Sequence, residues 1–248
     1  TGQDLENLKK ALPKCKKGIA LSEIEPEAPI PEPMQEVIIM ENNYSKDYED
    51  SVEFDKKRST DPNILPTYYY KKATRSNFNN NLIPNYESHV TELDYQAELC
   101  VILWKDAYQC TEEEAKEAIF GYLVINNCIA HNLTKKHRRP YIATSLDGFL
   151  PMSSYIVTKD EAGDGPFTLR SYVNGQLRQN ASTALLKFGP AYAISDLSQG
   201  AILHAGTILS LGTPFGRGKD QNPETYLKFG DIVKCEVPGI GSVTNRIG

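Results

Sequence analysis

The 248-residue chain contains no uninterrupted apolar run near the roughly 18 residues that a membrane-crossing helix needs. Its start, Thr1-Gly2-Gln3-Asp4, does not read as a secretory leader. The expectation is therefore a cytoplasmic protein with no membrane partner, whose sequons at Asn43, Asn132 and Asn180 stay unmodified. Cysteine is sparse and scattered, at Cys15, Cys100, Cys110, Cys128 and Cys235, with no Cys-x-x-Cys pair. That excludes a disulfide framework and a zinc knuckle, and Cys100 and Cys128, inside apolar runs, read as small core residues. An excess of positive charge is missing too. Against 32 Asp+Glu stand 27 Lys+Arg, a net charge of -5, and the only basic cluster is Lys135-Lys136-His137-Arg138-Arg139. Nucleic acid is excluded as a partner on that balance, and the cluster reads as a solvated turn.

Several common catalytic signatures are also absent. Gly212-Thr213-Pro214-Phe215-Gly216-Arg217-Gly218 is glycine-rich but lacks the Gly-Lys-Ser/Thr ending of a P-loop and the helix that a dinucleotide fingerprint opens. It reads as a tight loop whose backbone amides can approach a ligand. Serine nucleophile elbows and His-Glu-x-x-His do not occur.

What is present divides the chain in two. Residues 1–34 hold a short helix pattern, Asp4 to Leu12, and then four prolines within Ile24 to Pro33. Such a run fixes φ and removes donors, so it reads as an extended arm or linker before a domain over 35–248. The domain opens on Val37-Ile38-Ile39-Met40, a short buried strand. Leu93, Tyr95, Ala97, Leu99, Val101 and Leu103 then alternate with Asp94, Gln96, Glu98, Cys100, Ile102 and Trp104, a period of two that places one apolar row on one face. Asn174-Gly175 between two strand patterns marks a two-residue hairpin. Ile202 to Leu211 and Asp231 to Val237 read as further strands. Thr111-Glu112-Glu113-Glu114 is a capping box that opens a helix, and Asn43 to Asp50 and Ala184 to Ser195 are weaker helix patterns. Strands at irregular spacing with a few short helices predict a β-rich α+β fold.

The order of short motifs is informative. Asn43-Tyr44, Leu93-Asp94-Tyr95-Gln96-Ala97-Glu98-Leu99, Gly121-Tyr122-Leu123-Val124-Ile125-Asn126-Asn127 and Leu146-Asp147-Gly148-Phe149-Leu150-Pro151-Met152 follow one another. Val173-Asn174-Gly175-Gln176-Leu177-Arg178-Gln179, Gly212-Thr213-Pro214-Phe215-Gly216 and Leu227-Lys228-Phe229-Gly230-Asp231 come after them. Across residues 37–248 this series resembles the fumarylacetoacetate hydrolase family. The resemblance implies a rolled mixed β-sheet, a homodimer, and chemistry on small 2-oxo acids and β-dicarbonyls. It also implies a Mg²⁺ or Mn²⁺ ion held by three carboxylates, which chelates substrate oxygens and stabilises an enolate.

Carried over residue by residue, the implied site is altered. The Glu-x-Glu pair reads Gln96 and Glu98, the third ligand position holds Asn127, and the arginine four residues later is His131. The lysine before Asp147 is Thr144. The His and Glu of the water-activating segment fall on Asp47 and Asp50. One carboxylate and two amides make a poor Mg²⁺ site, since that ion sheds water reluctantly and relies on charge. The expectation is no cofactor, with Gln96, Glu98 and Asn127 the ligands should Mg²⁺ or Mn²⁺ bind. Glu98, His131 and Asp47 are the expected catalytic residues, and Gln96, Asn127, Tyr122, Thr144, Arg178, Gln179, Gly212 and Thr213 the expected substrate contacts. Three functions compete. The first is a repurposed enzyme that cyclises, isomerises or decarboxylates a small or polyketide-like β-dicarbonyl or 2-oxo substrate without metal. The second is a non-catalytic scaffold, paired with itself or an active paralogue, and the third a weakened metal-dependent hydrolase.

Overall fold

The computed structural model describes residues 2–15, 17–20, 23–25 and 27–248. In chain order its strands are β1 (Val37–Glu41), β2 (Thr67–Lys71), β3 (Leu82–Ile83), β4 (Leu93–Asp94), β5 (Ala97–Leu103), β6 (Ile119–Asn126) and β7 (Ile129–Ala130). They continue with β8 (Val157–Thr158), β9 (Thr168–Val173), β10 (Gln176–Ser182), β11 (Ile208–Ser210), β12 (Ile232–Val237) and β13 (Gly241–Ile247). Six of them form a mixed sheet in the order β2-β1-β11-β5-β6-β8, and five a second sheet in the order β10-β9-β12-β13-β3. The parallel pairs are β1 with β11 and β13 with β3. This is a β-rich α+β fold with short helices.

Strand β5 explains where the core sits. Its alternation predicts one buried face, but all seven of its residues are buried. Leu99, Val101 and Leu103 enter the large apolar cluster that also takes in Val233, Cys235 and Val243 of the second sheet. Cys100 and Ile102 enter a smaller cluster with Val37, Ile39, Leu123 and Ile125. A strand covered on both sides must find partners for any polar side chain it carries, which is what makes Glu98 informative.

Local signals act as their chemistry dictates. Asn174 and Gly175 both take positive φ, 50° and 77°, as the hairpin turn requires. The Thr111 hydroxyl accepts from Glu114 N–H while the Glu114 carboxylate accepts from Thr111 N–H, so the capping box opens a helix over Glu112–Ala118. Three boundaries differ from the sequence patterns. The helix expected from Asn43 to Asp50 is α2, Tyr48–Thr60, because Asn43 is held by Phe188 and Leu211 and Tyr44 bridges to Leu186. The one expected from Ala184 to Ser195 spans Pro190–Ser198, where Pro190 can start it. Ile202 to Leu211 is a strand only at Ile208–Ser210, since a turn at Gly206 (φ 88°) interrupts it.

The N-terminal segment forms a helix over Gly2–Ala11, and Lys9 of that helix reaches Asp160 at 3.0 Å. Pro26 of the proline run lies outside the described residues. From Ala28 the run lies against the domain: Ala28 is 5% exposed, and the Ser76 hydroxyl and N–H donate to Ile30 and Pro31 carbonyls.

Candidate active site

The site is built where one strand pair breaks. β5 pairs with β6 up to Ala97 opposite Asn126, and pairing resumes as β4 with β7 at Asp94 opposite Ile129. Between them Gln96 N–H donates to the Asn126 side chain and Asn127 N–H donates to the Gln96 carbonyl. Such an interruption re-aims side chains that a regular ladder would send to opposite faces. Gln96, Glu98 and Asn127 converge as a result.

Gln96 and Glu98 meet at a cavity of about 380 Å³, while Asn127, expected as a substrate contact, is fully buried behind Glu98 and does not line it. Gln96, Glu98, His131 and Thr213 line it, joined by Tyr44, Tyr69, Thr134 and Glu41. Lys187, Arg217 and Lys219 supply positive charge. Arg217 is clamped by Asp220 through two nitrogens at 2.8 and 3.0 Å, whereas the Lys219 ammonium has no hydrogen bond or ion pair among the described residues. Burial and the neighbouring Arg217 guanidinium hold the Lys219 pKa below its ordinary value. Three buried polar atoms on lining residues have no partner among the described residues: Tyr44 Oη, Gln96 Oε1 and Thr134 Oγ1. Unmet hydrogen-bonding capacity around one cavity points to a polar ligand.

Glu98 is 1% exposed. Its Oε1 accepts from Asn127 Nδ2 at 3.0 Å and its Oε2 from Ser210 Oγ at 2.5 Å. Burial pushes its pKa up to about 7, against the opposing pull of Ser210, Asn127, Lys71 and Arg217. Behind Asn127 lies Lys71, the last residue of β2, fully buried and donating to Asn127 Oδ1 at 2.9 Å and to the Phe149 carbonyl at 2.7 Å. Desolvation brings its pKa down to about 8. An ammonium must face an oxygen, so Lys71 fixes the orientation of the Asn127 amide, with Nδ2 directed at Glu98 and at Tyr69 Oη (2.8 Å).

His131 opens helix α4, His131–His137 (α3 being Glu112–Ala118), and its Nε2 lies 2.9 Å from Asp94 Oδ2. The Asp94 carboxylate also accepts from the N–H groups of Tyr95, Gly218 and Lys219. Surrounded by donors, the carboxylate has only acceptor capacity to offer, so Nε2 of His131 is the nitrogen that donates to it and Nδ1 is left for another partner. Gly218 is needed here because a Cβ would lie 2.8 Å from Asp94 Oδ1 and 2.2 Å from the Thr225 carbonyl.

The other residues singled out from the sequence take different places. Asp47 is an exposed helix cap that accepts from Asp50 N–H at 2.9 Å; it does not line the cavity, because α2 starts there and holds it outward. Tyr122 lines a separate, more apolar cavity with Phe167 and Leu186, since β6 turns it toward the large core. The Thr144 hydroxyl is spent on the Pro140 carbonyl inside its own helix. Arg178 bonds Gln176, next to the hairpin. Gln179 is buried and braces the Thr213 loop, accepting from Ala97 N–H and donating to Thr213 Oγ1 and the Pro214 carbonyl. Gly212 supports rather than lines the site: with φ 84°, its missing Cβ would stand 2.5 Å from the Met40 carbonyl. Lys71, Asp94, Tyr69, Ser210 and the Arg217–Lys219 cations are functional neighbours that the sequence patterns did not single out.

The donor set does not fit a hard divalent cation. Such an ion wants several anionic oxygens, and among Gln96, Glu98 and Asn127 only Glu98 is a carboxylate. Asn127 directs N–H, not oxygen, toward it, and its oxygen is taken by an ammonium. Among the described residues no group of three or more His, Cys, Asp or Glu side chains could hold a metal.

Two mixed sheets thus carry a cation-rimmed cavity where the β5–β6 pairing is interrupted. Residues 36–248 match the family described as fumarylacetoacetate (FAA) hydrolase C-terminal, and the chain belongs to that family. Oxaloacetate tautomerase YisK of Bacillus subtilis (strain 168) is 31% identical over 230 residues, covering 92% of this chain and 75% of that protein. An uncharacterised protein of Staphylococcus aureus (strain USA300) is 31% identical over 182 residues, 73% of this chain and 61% of its own length. Among solved structures, fumarylacetoacetate hydrolase from psychrophilic Exiguobacterium antarcticum superposes with a TM-score of 0.83 at 28% identity, over 97% of this chain and 86% of that one. The 5-carboxymethyl-2-hydroxymuconate delta-isomerase from Mycobacterium smegmatis gives 0.76 at 25%, over 94% and 85%. Those of them that carry an activity in their names are a tautomerase, a hydrolase and an isomerase. No helix among the described residues is long and apolar enough to cross a membrane.

Proposed function

We propose that this chain interconverts the keto and enol forms of a small dianionic 2-oxo or β-dicarbonyl acid, by proton transfer and without a divalent metal. The observation that carries the reading is Glu98, a buried carboxylate at the cavity held in place by Asn127 and Ser210. A carboxyl group with a pKa near 7 is matched to taking and returning a proton at neutral pH. In its ionised form Glu98 removes the proton from the carbon between two carbonyl groups. The charge that develops on oxygen meets the Tyr44 hydroxyl and the positive charge of Arg217 and Lys219. In the enol-to-keto direction protonated Glu98 gives its proton to the carbon while His131, held by Asp94, accepts the enol hydroxyl proton at Nδ1; in the keto-to-enol direction ionised Glu98 takes the carbon-bound proton and that Nδ1 proton returns to oxygen. No bond between heavy atoms breaks and no water is consumed, so the exposed position of Asp47 does not limit the step. The tautomerase and isomerase among the relatives support this class of reaction.

The test follows the enol absorbance of oxaloacetate with the full chain in EDTA. Acceleration over buffer is expected, with Glu98→Gln lowering it at least about 100-fold. Unchanged turnover in Glu98→Gln, or turnover that appears only on adding Mn²⁺ or Mg²⁺, overturns the proposal.

A further inference from the structure

Lys71 is the only lysine or arginine among the described residues that is fully buried, and the proton-transfer scheme gives it no task. It reaches inward from the end of the edge strand β2, where it pairs with Val37, to Asn127, which lies between it and the cavity-lining Glu98. Two acceptors hold it, Asn127 Oδ1 and the Phe149 carbonyl. Its effect passes through Asn127. With the amide oxygen committed to the ammonium, the Nδ2 hydrogens have one arrangement left, toward Glu98 Oε1 and Tyr69 Oη. A neutral residue at position 71 would free the amide to turn its oxygen toward the cavity. The buried positive charge acts in the same sense: a second cation beside Glu98 would be repelled across a low-dielectric interior, whereas an anionic oxygen would be attracted.

We propose that Lys71 is a built-in cation of this site, a positioning residue that holds Asn127 as a hydrogen-bond donor and bars divalent metal. The ligand class that follows is an oxyanion, a carboxylate or enolate oxygen, bound directly by the protein instead of through a chelated ion. This rests on the proposed function only in placing the ligand at the Glu98 cavity, and its test reads binding, not turnover. A failed tautomerase assay and a failed Lys71 experiment are therefore separate results.

The experiment uses the full chain and two probes, Mn²⁺ and oxalate. Free Mn²⁺ is followed by its paramagnetic resonance signal, and each probe is also scored by the shift in thermal unfolding. Four proteins are compared: wild type, Gln96→Glu/Asn127→Asp, the same pair with Lys71→Met, and Lys71→Met alone. Wild type is expected to bind oxalate without Mn²⁺ and to leave the Mn²⁺ signal unchanged. Restoring two carboxylates should give weak Mn²⁺ binding while Lys71 remains, and at least tenfold tighter binding once it is Met. Lys71→Met alone should lose at least tenfold in oxalate affinity. The proposal is overturned if wild type binds Mn²⁺ and Glu98→Gln abolishes that binding. It is also overturned if the double and triple variants bind Mn²⁺ equally. Should the Met variants fail to fold by near-ultraviolet circular dichroism, Lys71→Gln takes their place under the same criteria, and the wild-type comparison with Glu98→Gln decides without any variant at 71.

Discussion

Replacing Glu98 by Gln asks whether its ionisation opposes folding. The unfolded chain should titrate Glu98 near the ordinary 4.5, and the folded chain near 7 because burial penalises the charged form. A folded pKa above the unfolded one means that the native state holds the proton more tightly. The stabilisation is fully present below about pH 4.5 and is lost as pH rises through about 7. At about 1.4 kcal/mol per unit, that shift corresponds to about 3 kcal/mol. Gln keeps the size of the side chain and can still meet Asn127 and Ser210, but does not titrate. Wild type should therefore lose about 3 kcal/mol relative to Glu98→Gln between pH 5 and pH 9. For a chain of this length that is roughly 6–12 °C in Tm. The assay is urea or thermal unfolding of both proteins across that range, taking the difference at each pH so that other titrating groups largely cancel. A flat difference, or one in which wild type gains as pH rises, would refute the assignment of Glu98 as a buried group that ionises near neutrality.

Other perturbations separate binding, orientation and folding. Lys219→Ala removes the exposed rim cation, and KM for a dianionic substrate should rise roughly three- to tenfold with kcat within about twofold; an equal loss in kcat would contradict a rim role. Asp94→Asn and His131→Asn should each lower kcat about 100-fold or more, and the double variant little further, because one acts through the other. Additive losses in that cycle would show that they work apart. Gly212→Ala forces a Cβ to within 2.5 Å of the Met40 carbonyl at φ 84°, which should cost about 1–3 kcal/mol in urea unfolding; a neutral result would mean that the Gly212 loop yields easily.

Most of the fold was legible because its signals are local. The capping box at Thr111, the Asn174-Gly175 turn and the alternation through β5 each state a backbone conformation within a few residues. The misplaced boundaries arise where distant contacts decide. Asn43 and Tyr44 carry a plausible helix pattern, but hydrogen bonds to residues more than 140 positions away hold them extended, and the helix waits for Asp47 to cap it. The second buried face of β5 was invisible for a related reason. Alternation reports which side chains are polar, and a polar row is read as solvent-facing unless something shows where its partners come from.

The site itself was half legible. Gln96, Glu98 and Asn127 are marked by the family resemblance, and the pairing break between β4–β7 and β5–β6 sets two of them, Gln96 and Asn127, between strands. Lys71 gives no such signal. It follows Tyr68-Tyr69-Tyr70 and precedes Lys72, so on sequence it is one more charge at a strand end, and only the parallel β1–β11 pairing places β2 beside the cavity. Asp94 was hidden in the same way, since its partners Gly218 and Lys219 lie more than 120 residues on. Read by substitution alone, the two amides at 96 and 127 subtract charge from a metal site and suggest loss. Read with Lys71 in place, Asn127 is the residue that an internal ammonium requires: an Asp there would form a buried ion pair and leave Glu98 without its donor. One carboxylate at the cavity, an ammonium buried behind Asn127 and cations at the rim together suit the anionic ligand proposed above better than a metal chelate.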